Sequence, residues 1–329
     1  MDFKTFMRLK STFVQNVDGD VIDLTNCSMV DALQPWRPAP PELVLPANAH
    51  RCHLAEHWLN VFGLPPEWKK QALVCKGVRH SLGLLCKGWA ETNSKVLMPY
   101  DVYPVYLETA QSAGVTLETY QTWPTTPDVY PDADVLLITN PLKPRGTSLT
   151  TPELDAVKTW LAKDASRRVV VDAVYTFSTH LDQSTLTLFE TGQAIVLHSL
   201  SKGWAYPLVM GVALVPTSDV ERWAPMFRAD GPALPQLCLA EALLTQAPHT
   251  PESFSRVLTL GQLELEALCS IKGVPLLKGQ AGLARYHFLV PMEWMELLIT
   301  TGVLGMPLSI FGSNKPEVSV ITSLPLLNP

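Results

Sequence analysis

Two stretches decide how this chain is read: Val169-Val170-Val171-Asp172-Ala173-Val174-Tyr175 and, farther on, Val196-Leu197-His198-Ser199-Leu200-Ser201-Lys202-Gly203-Trp204-Ala205. In each, a short apolar run stops at a polar or charged group. Such runs read as strands buried on both faces of a sheet, and reactive side chains of an open α/β sheet gather at the carboxyl ends of its strands. Asp172 directly follows the first run; its plain structural alternative is a capping carboxylate. Lys202 follows the second, behind the hydroxyls of Ser199 and Ser201. A lysine there has little structural purpose, because a buried ammonium is costly unless paired or neutral. A third loop, Thr139-Asn140-Pro141-Leu142-Lys143-Pro144-Arg145-Gly146, follows the apolar run 135–138 and is dense in turn residues.

Outward from these loops, helix and strand patterns alternate. Residues 50–62 read as a helix stopped by Gly63-Leu64-Pro65-Pro66. Strands are expected at 72–75, 95–99, 115–120, 135–138, 169–171 and 195–197. Helices are expected after Gly77, with Leu82, Leu85 and Trp89 on one stripe, and over 103–113. A further helix opens at Thr151-Pro152-Glu153, with Leu154, Val157 and Leu161 facing inward. This alternation predicts an α/β architecture with a mainly parallel sheet. Beyond residue 245, a long helix over 253–269 and strands near 274–277 and Leu289 predict a smaller α+β unit. The first 45 residues, with PWRPAPPELVLP, read as an irregular arm. The expected division is therefore 1–45 (arm and part of the small domain), 46–245 (large domain) and 246–329 (small domain).

Composition narrows the function classes. The 329 residues carry 25 Lys and Arg against 31 Asp and Glu, a net charge of −6, with 47% hydrophobic residues. Charged residues reach 17%, below the roughly 25% of an average domain. A wholly disordered chain is excluded, and so is a polybasic binder of nucleic acid backbones. The low charge fits a surface partly covered by a second copy. The start, MDFKTFMRLK followed by STFVQNVDGD, lacks a signal-peptide core. The most membrane-like stretch, 297–311, holds Gly302, Gly305 and Pro307 and is shorter than the ~18 residues a span needs. The six cysteines (27, 52, 75, 86, 238 and 269) show no metal-ligand spacing, so no metal is expected. These features describe a soluble, cytoplasmic enzyme-sized protein.

Taken together, Asp172-x-x-Tyr175 and Ser199-x-Ser201-Lys202, with the third loop upstream, resemble the pyridoxal-phosphate (PLP) enzymes of fold type I. The nearest pattern is that of class I/II aminotransferases, in the histidinol-phosphate aminotransferase branch, over nearly the whole chain. The resemblance implies PLP as cofactor, a homodimer, and a small amine or amino acid as substrate. It makes Lys202 the Schiff-base lysine and proton carrier, and places Asp172 under the pyridine nitrogen, which an adjacent carboxylate keeps protonated. Tyr175 would donate to the ring hydroxyl. Val174 and Tyr103 (in DVYPVY, similar to the family's P-T-Y-x-x-Y) would cover the two ring faces. Gly77, Val78 and Arg79 at a helix start, with Ser199 and Ser201, would hold the phosphate.

The departures bear on the reaction. Lys143 stands where the family has an Asn that binds the ring hydroxyl. Pro207-Leu208-Val209-Met210-Gly211 carries no cation where the family has a phosphate-binding Arg, and Arg79 is the expected substitute. His50-Arg51-Cys52-His53 stands where a partner tyrosine usually reaches the phosphate. Near the end, Pro316-Glu317-Val318-Ser319-Val320-Ile321 matches the strand whose Arg forks onto the substrate carboxylate, with Ser319 in its place. Serine cannot replace a planar clamp. Either Arg285 (in LARYHF) or Arg37 makes the contact, both otherwise reading as solvated surface arginines, or the substrate has no in-plane carboxylate. Aminotransferase-like chemistry is the first expectation. The rivals are decarboxylation, including that of an aminoacyl group on a bulky carrier such as a modified nucleotide or DNA base, and a non-catalytic binding module. For the nucleic-acid case, Arg37, Arg51, Lys143 and Arg145 are the candidate basic strip.

Overall fold

In a computed structural model, the structure describes residues 1–39, 51–123, 125–206, 210–277, 279, 283 and 285–327, without the side chains of Arg51 and Cys52. The six expected strands of the large unit, joined by a seventh that the sequence reading missed, form one sheet: β1 (Ala72–Cys75), β2 (Lys95–Pro99), β3 (Thr116–Tyr120), β4 (Val135–Thr139), β5 (Arg168–Asp172), β6 (Ala194–Ser199) and the unanticipated β7 (Gly211–Leu214). Their spatial order is β1-β7-β6-β5-β4-β2-β3. Neighbours from β6 through β3 pair in parallel, whereas β7 runs antiparallel to both β6 and β1.

The apolar runs alternate between two cores, which is why they contain so few polar residues. Leu136, Ile138, Val169, Val171 and Val196 face one side, where the helices Arg51–Val61, Thr151–Leu161 and Leu234–Gln246 contribute Trp58, Trp160 and Leu243. Val135, Leu137, Val170, Ile195 and Leu197 face the other, against Leu85 and Trp89 of Val78–Glu91 and Phe227 of Val220–Ala229. Burying each large aliphatic side chain contributes about 1.5–3 kcal/mol before entropy is counted. The helix at Thr151 starts on a capping box: the Thr150 side chain accepts from the Glu153 N–H, and Glu153 reaches back to the Thr150 N–H.

Gly211 opens β7, where it pairs with Ser199 of β6. A Cβ there would lie 2.0 Å from the His198 carbonyl oxygen, a backbone atom that cannot rotate aside. Gly211→Ala is therefore expected to cost about 3 kcal/mol or more, the upper range for overpacking, read as a fall in the denaturation midpoint. An unchanged midpoint would contradict this packing.

The remaining strands are short. β8 (His287–Val290), β9 (Met306–Pro307) and β10 (Ser319–Thr322) form an antiparallel sheet in the order β9-β10-β8. Ile22–Asp23 pairs in parallel with Val303–Leu304. The structure corrects the irregular arm: Phe3–Gln15 is a helix, capped by Asp2, whose carboxylate accepts from the Thr5 N–H at 2.8 Å. Its buried residue, Phe6, meets Trp294 edge-on at 5.7 Å, and the half-buried Phe13 meets the same ring at 4.7 Å. Residues 274–277 form no strand either; Leu277 makes a backbone bond to Leu289, donating at 2.9 Å. The proline-rich residues 40–50 lie outside the described residues.

Stretch 297–311 breaks into the end of helix Trp294–Thr301 and short strands, and no described helix is long and apolar enough to cross a membrane. Among the described residues no cluster of His, Cys, Asp and Glu could hold a metal ion, and Cys27, Cys75, Cys86, Cys238 and Cys269 are free thiols.

Candidate active site

A cavity of about 290 Å³ opens at the carboxyl ends of β4, β5 and β6. Parallel pairing sets Thr139 beside Asp172, and Asp172 beside Leu197, so three loops distant in sequence meet at one edge. The cavity is lined by Asp172, Val174 and Tyr175 after β5, by Ser199, Ser201 and Lys202 after β6, and by Lys143 from the loop after β4. Val78, Arg79 and Tyr103 close it from the helix side. Gly77 does not line it; it caps helix Val78–Glu91 with φ of +104°, a left-handed conformation that favours glycine.

Asp172 is 4% exposed. Burial pushes its carboxyl up to about 6, although hydrogen bonds from Tyr106 and the Val174 N–H and the charge of Lys143 pull the other way. The Tyr106 contact was not anticipated, although Tyr106 closes the same Y-x-x-Y pattern as Tyr103. The two rings meet edge-on at 5.4 Å, so Tyr103 faces the cavity and Tyr106 supports the carboxylate.

Lys202 sits in the helical turn Leu200–Gly203, which Ser199 caps by accepting from the Ser201 N–H. It is half-buried, lines the cavity, and makes no hydrogen bond or ion pair among the described residues. Ser199 Oγ also donates to the Met210 carbonyl at 3.2 Å and lies 2.8 Å from Ser201 Oγ. His198, one residue earlier, is structural: the Trp58 indole donates to its Nδ1 at 3.3 Å, and burial drives its pKa down to about 3, keeping it neutral. Arg79 donates to the Tyr103 hydroxyl and lies 5.4 Å from that ring's centroid.

The two expected substrate arginines lie off this cavity. Arg37 donates to the Ala205 carbonyl at 3.3 Å and packs over Tyr206. Arg285 is not a solvated surface residue: it is 6% exposed and stacks on Phe288 at 4.4 Å. It lines a smaller cavity of about 30 Å³ that shares Lys143 and Tyr175 with the first. Ser319 is fully buried and donates to the Met292 carbonyl at 2.6 Å, so its own hydroxyl does not stand in for the clamp. Of the expected basic strip, Arg145 is engaged by Glu153 at 3.2 Å and by the Thr122 carbonyl. Residues 207–209, His50 and the side chains of Arg51 and Cys52 lie outside the described residues.

A family model for aminotransferase class I and II matches residues 47–321. The chain belongs to this family. Its architecture is fold type I of the PLP enzymes, and its activity is aminotransferase-like. Solved structures repeat the fold. An aminotransferase from Mycobacterium tuberculosis is 17% identical with a TM-score of 0.70, over 97% of this chain and 91% of that one. YbdL from Escherichia coli, described as having a methionine aminotransferase function, is 15% identical with a TM-score of 0.71, over 97% and 93%. A double mutant of Thermus thermophilus aspartate aminotransferase is 16% identical with a TM-score of 0.69, over 98% and 90%. A comparison with curated proteins returns no match. Membership of this enzyme family sets aside the reading as a non-catalytic module.

Proposed function

We propose that this family member binds pyridoxal 5′-phosphate in the 290 Å³ cavity and transfers the amino group of a small amine or amino acid. The observation that carries this reading is Lys202, a cavity-lining amine without a partner among the described residues, beside the buried carboxylate of Asp172. The cavity fits such a cofactor, with a lysine to attach it, a carboxylate for the ring nitrogen, and apolar walls from Val174 and Tyr103. When bound, PLP supplies an electron sink. The residues supply the rest. Asp172, oriented by Tyr106 and the Val174 N–H, holds a proton on the ring nitrogen. Lys202 Nζ carries a proton to and from the substrate's α-carbon. Val78 and Arg79 at the helix start, with Ser199 and Ser201, face the phosphate.

The same reading makes the enzyme a homodimer and groups residues 1–45 with the C-terminal unit, supported by Phe6 packing against Trp294 and Leu304. Decarboxylation is the second reading. It is favoured by the buried, committed Ser319 and by a cavity lining in which Arg79, bound to Tyr103, is the guanidinium among the described residues. A substrate carboxylate without a fork is free to turn perpendicular to the ring and leave.

The test is to load the purified chain with PLP, supply amines with and without a carboxylate, and follow the products. Accumulation of pyridoxamine phosphate supports transamination. Carbon dioxide release with PLP regenerated supports the second reading. Failure to retain PLP would overturn both.

A further inference from the structure

Arg285 and His287 are buried polar groups to which catalysis in the main cavity gives no role. They are 6% and 3% exposed, and Arg285 Nε and His287 Nε2 have no hydrogen-bond partner among the described residues. Orphaned polar atoms are rare in a folded interior, and these two residues line one pocket, the cavity of about 30 Å³ beside the main one. Lys143 lines the same pocket, and among the described residues no carboxylate does. Glu266, on the helix Thr250–Lys272, is the acid whose charge Arg285 feels, but its side chain is engaged by Gln262 at 2.9 Å. A buried cation without a counter-charge is costly, so the pocket is prepared for an anion that the described chain does not supply.

The surroundings fix the guanidinium in place. Two glycines make room for it: a Cβ at Gly146 would meet Arg285 Cδ at 2.8 Å, and one at Gly279 would fall on the guanidinium itself. Phe288 lies under it at 4.4 Å, and Nη1 donates to the Arg145 carbonyl at 3.5 Å. His287 packs on the ring of Tyr286 at 4.1 Å and meets Phe311 edge-on at 5.9 Å. Burial, together with the charges of Lys143 and Lys202, keeps its imidazole neutral, so it can donate one N–H without adding charge. Volume limits the anion. A single water takes about 10–15 Å³, so the pocket has room for the two oxygens of a carboxylate and not for a phosphate.

We infer that this pocket is a carboxylate receptor for the far end of the substrate, with Arg285 and His287 as specificity-determining residues. The inference rests on the cofactor reading proposed above, which places the reacting amine in the main cavity at Lys202. The two cavities adjoin at Lys143 and Tyr175, whose side chains are hydrogen-bonded at 2.7 Å, and Arg285 does not line the main one. A carboxylate on the amine-bearing carbon therefore stays on the Lys202 side of that pair, while one at the end of a flexible chain can pass it. The substrate class is an amine with a remote carboxylate. Recognition of this kind fixes the substrate by its tail and leaves the bonds at the reacting carbon unclamped.

The test loads the full chain with PLP and offers 3-aminopropanoate, 4-aminobutanoate, 5-aminopentanoate and 6-aminohexanoate. Each is compared with the alkylamine and the 2-amino acid of the same chain length. At one length or more, the remote acid should exceed both in kcat/KM by at least about tenfold, the scale of one charge-assisted hydrogen bond. Arg285→Gln should reduce that ratio by a similar factor. Should this variant fail to fold by circular dichroism, Arg285→Lys takes its place, because it keeps the charge and loses the Nε donor. Independently of the cofactor, calorimetry should show pentanoate binding to the unloaded wild-type chain, and at least about tenfold more weakly to the variant. No preference for a remote acid at any length, or equal ratios and equal pentanoate affinity in wild type and variant, would overturn the inference. A chain that binds pentanoate through Arg285 but never retains PLP would refute the cofactor reading alone.

Discussion

Lys202→Ala is expected to abolish attachment of PLP and to lower turnover by at least about 10⁴-fold, since it removes both the covalent link and a positioned proton carrier. Borohydride reduction of the loaded wild-type chain should leave the cofactor's mass on the peptide containing Lys202, and the variant should show none. Lys202→Arg separates charge from nucleophilicity. A guanidinium keeps the positive charge but does not deprotonate in proteins, so it cannot attach the cofactor. Both variants should be inactive while only the alanine changes the local charge. Neither should lower the thermal midpoint of the unloaded chain, because Lys202 makes no hydrogen bond or ion pair among the described residues. A variant at this position that still carries reducible cofactor would end the assignment.

The second large effect is at Asp172. Its carboxyl is raised from 3.8 to about 6, burial being the main cause. A raised acid pKa means that the folded, unloaded chain is favoured with the carboxyl protonated: the contribution is complete below 3.8 and is lost as pH rises through about 6. At pH 7.5 the charged group therefore carries a penalty on the order of 3 kcal/mol, offset when a protonated ring nitrogen binds beside it. Asp172→Asn should then leave the unloaded chain at least as stable as wild type at pH 7.5, while reducing turnover about 10²-fold or more, the range for losing an electrostatic partner of the reacting centre. Wild-type affinity for PLP should weaken as pH falls through about 6, where the carboxylate is lost, and the asparagine variant should lack that edge. Calorimetry of the unloaded chain and cofactor titration at pH 5 and 7.5 read both effects. Wild-type turnover in Asp172→Asn would show that the carboxylate does not serve the ring.

These two residues were legible in the sequence because each follows closely on an apolar run. A strand buried on both faces admits so few polar groups that Asp172, which closes β5, and Lys202, in the helical turn directly after β6, stand out without any knowledge of their neighbours. The doubly covered sheet was legible for the same reason, as were the helices with a clear stripe or capping pair. The helix Phe3–Gln15 was not recognised: its face is made by Phe6 and the half-buried Phe13 and Val14, and the Trp294 they pack against is nearly the whole chain away.

What the sequence by itself determined is therefore the layered α/β plan, from local patterns of apolarity, and the family, from the short motifs that place Asp172 at the end of one buried strand and Lys202 in the turn after another. Only the tertiary structure decided what touches them. Tyr106 reaches Asp172 across 66 residues, Lys143 reaches Tyr175 across 32, and Arg285 is folded away beside the cavity rather than set against solvent. Such contacts depend on which strand ends become neighbours after each crossover, and the order β6-β5-β4-β2 is a property of the assembled sheet. The charge balance of the site depends on the same order, because Lys143, Tyr175 and Lys202 belong to loops that the chain separates and the sheet brings together.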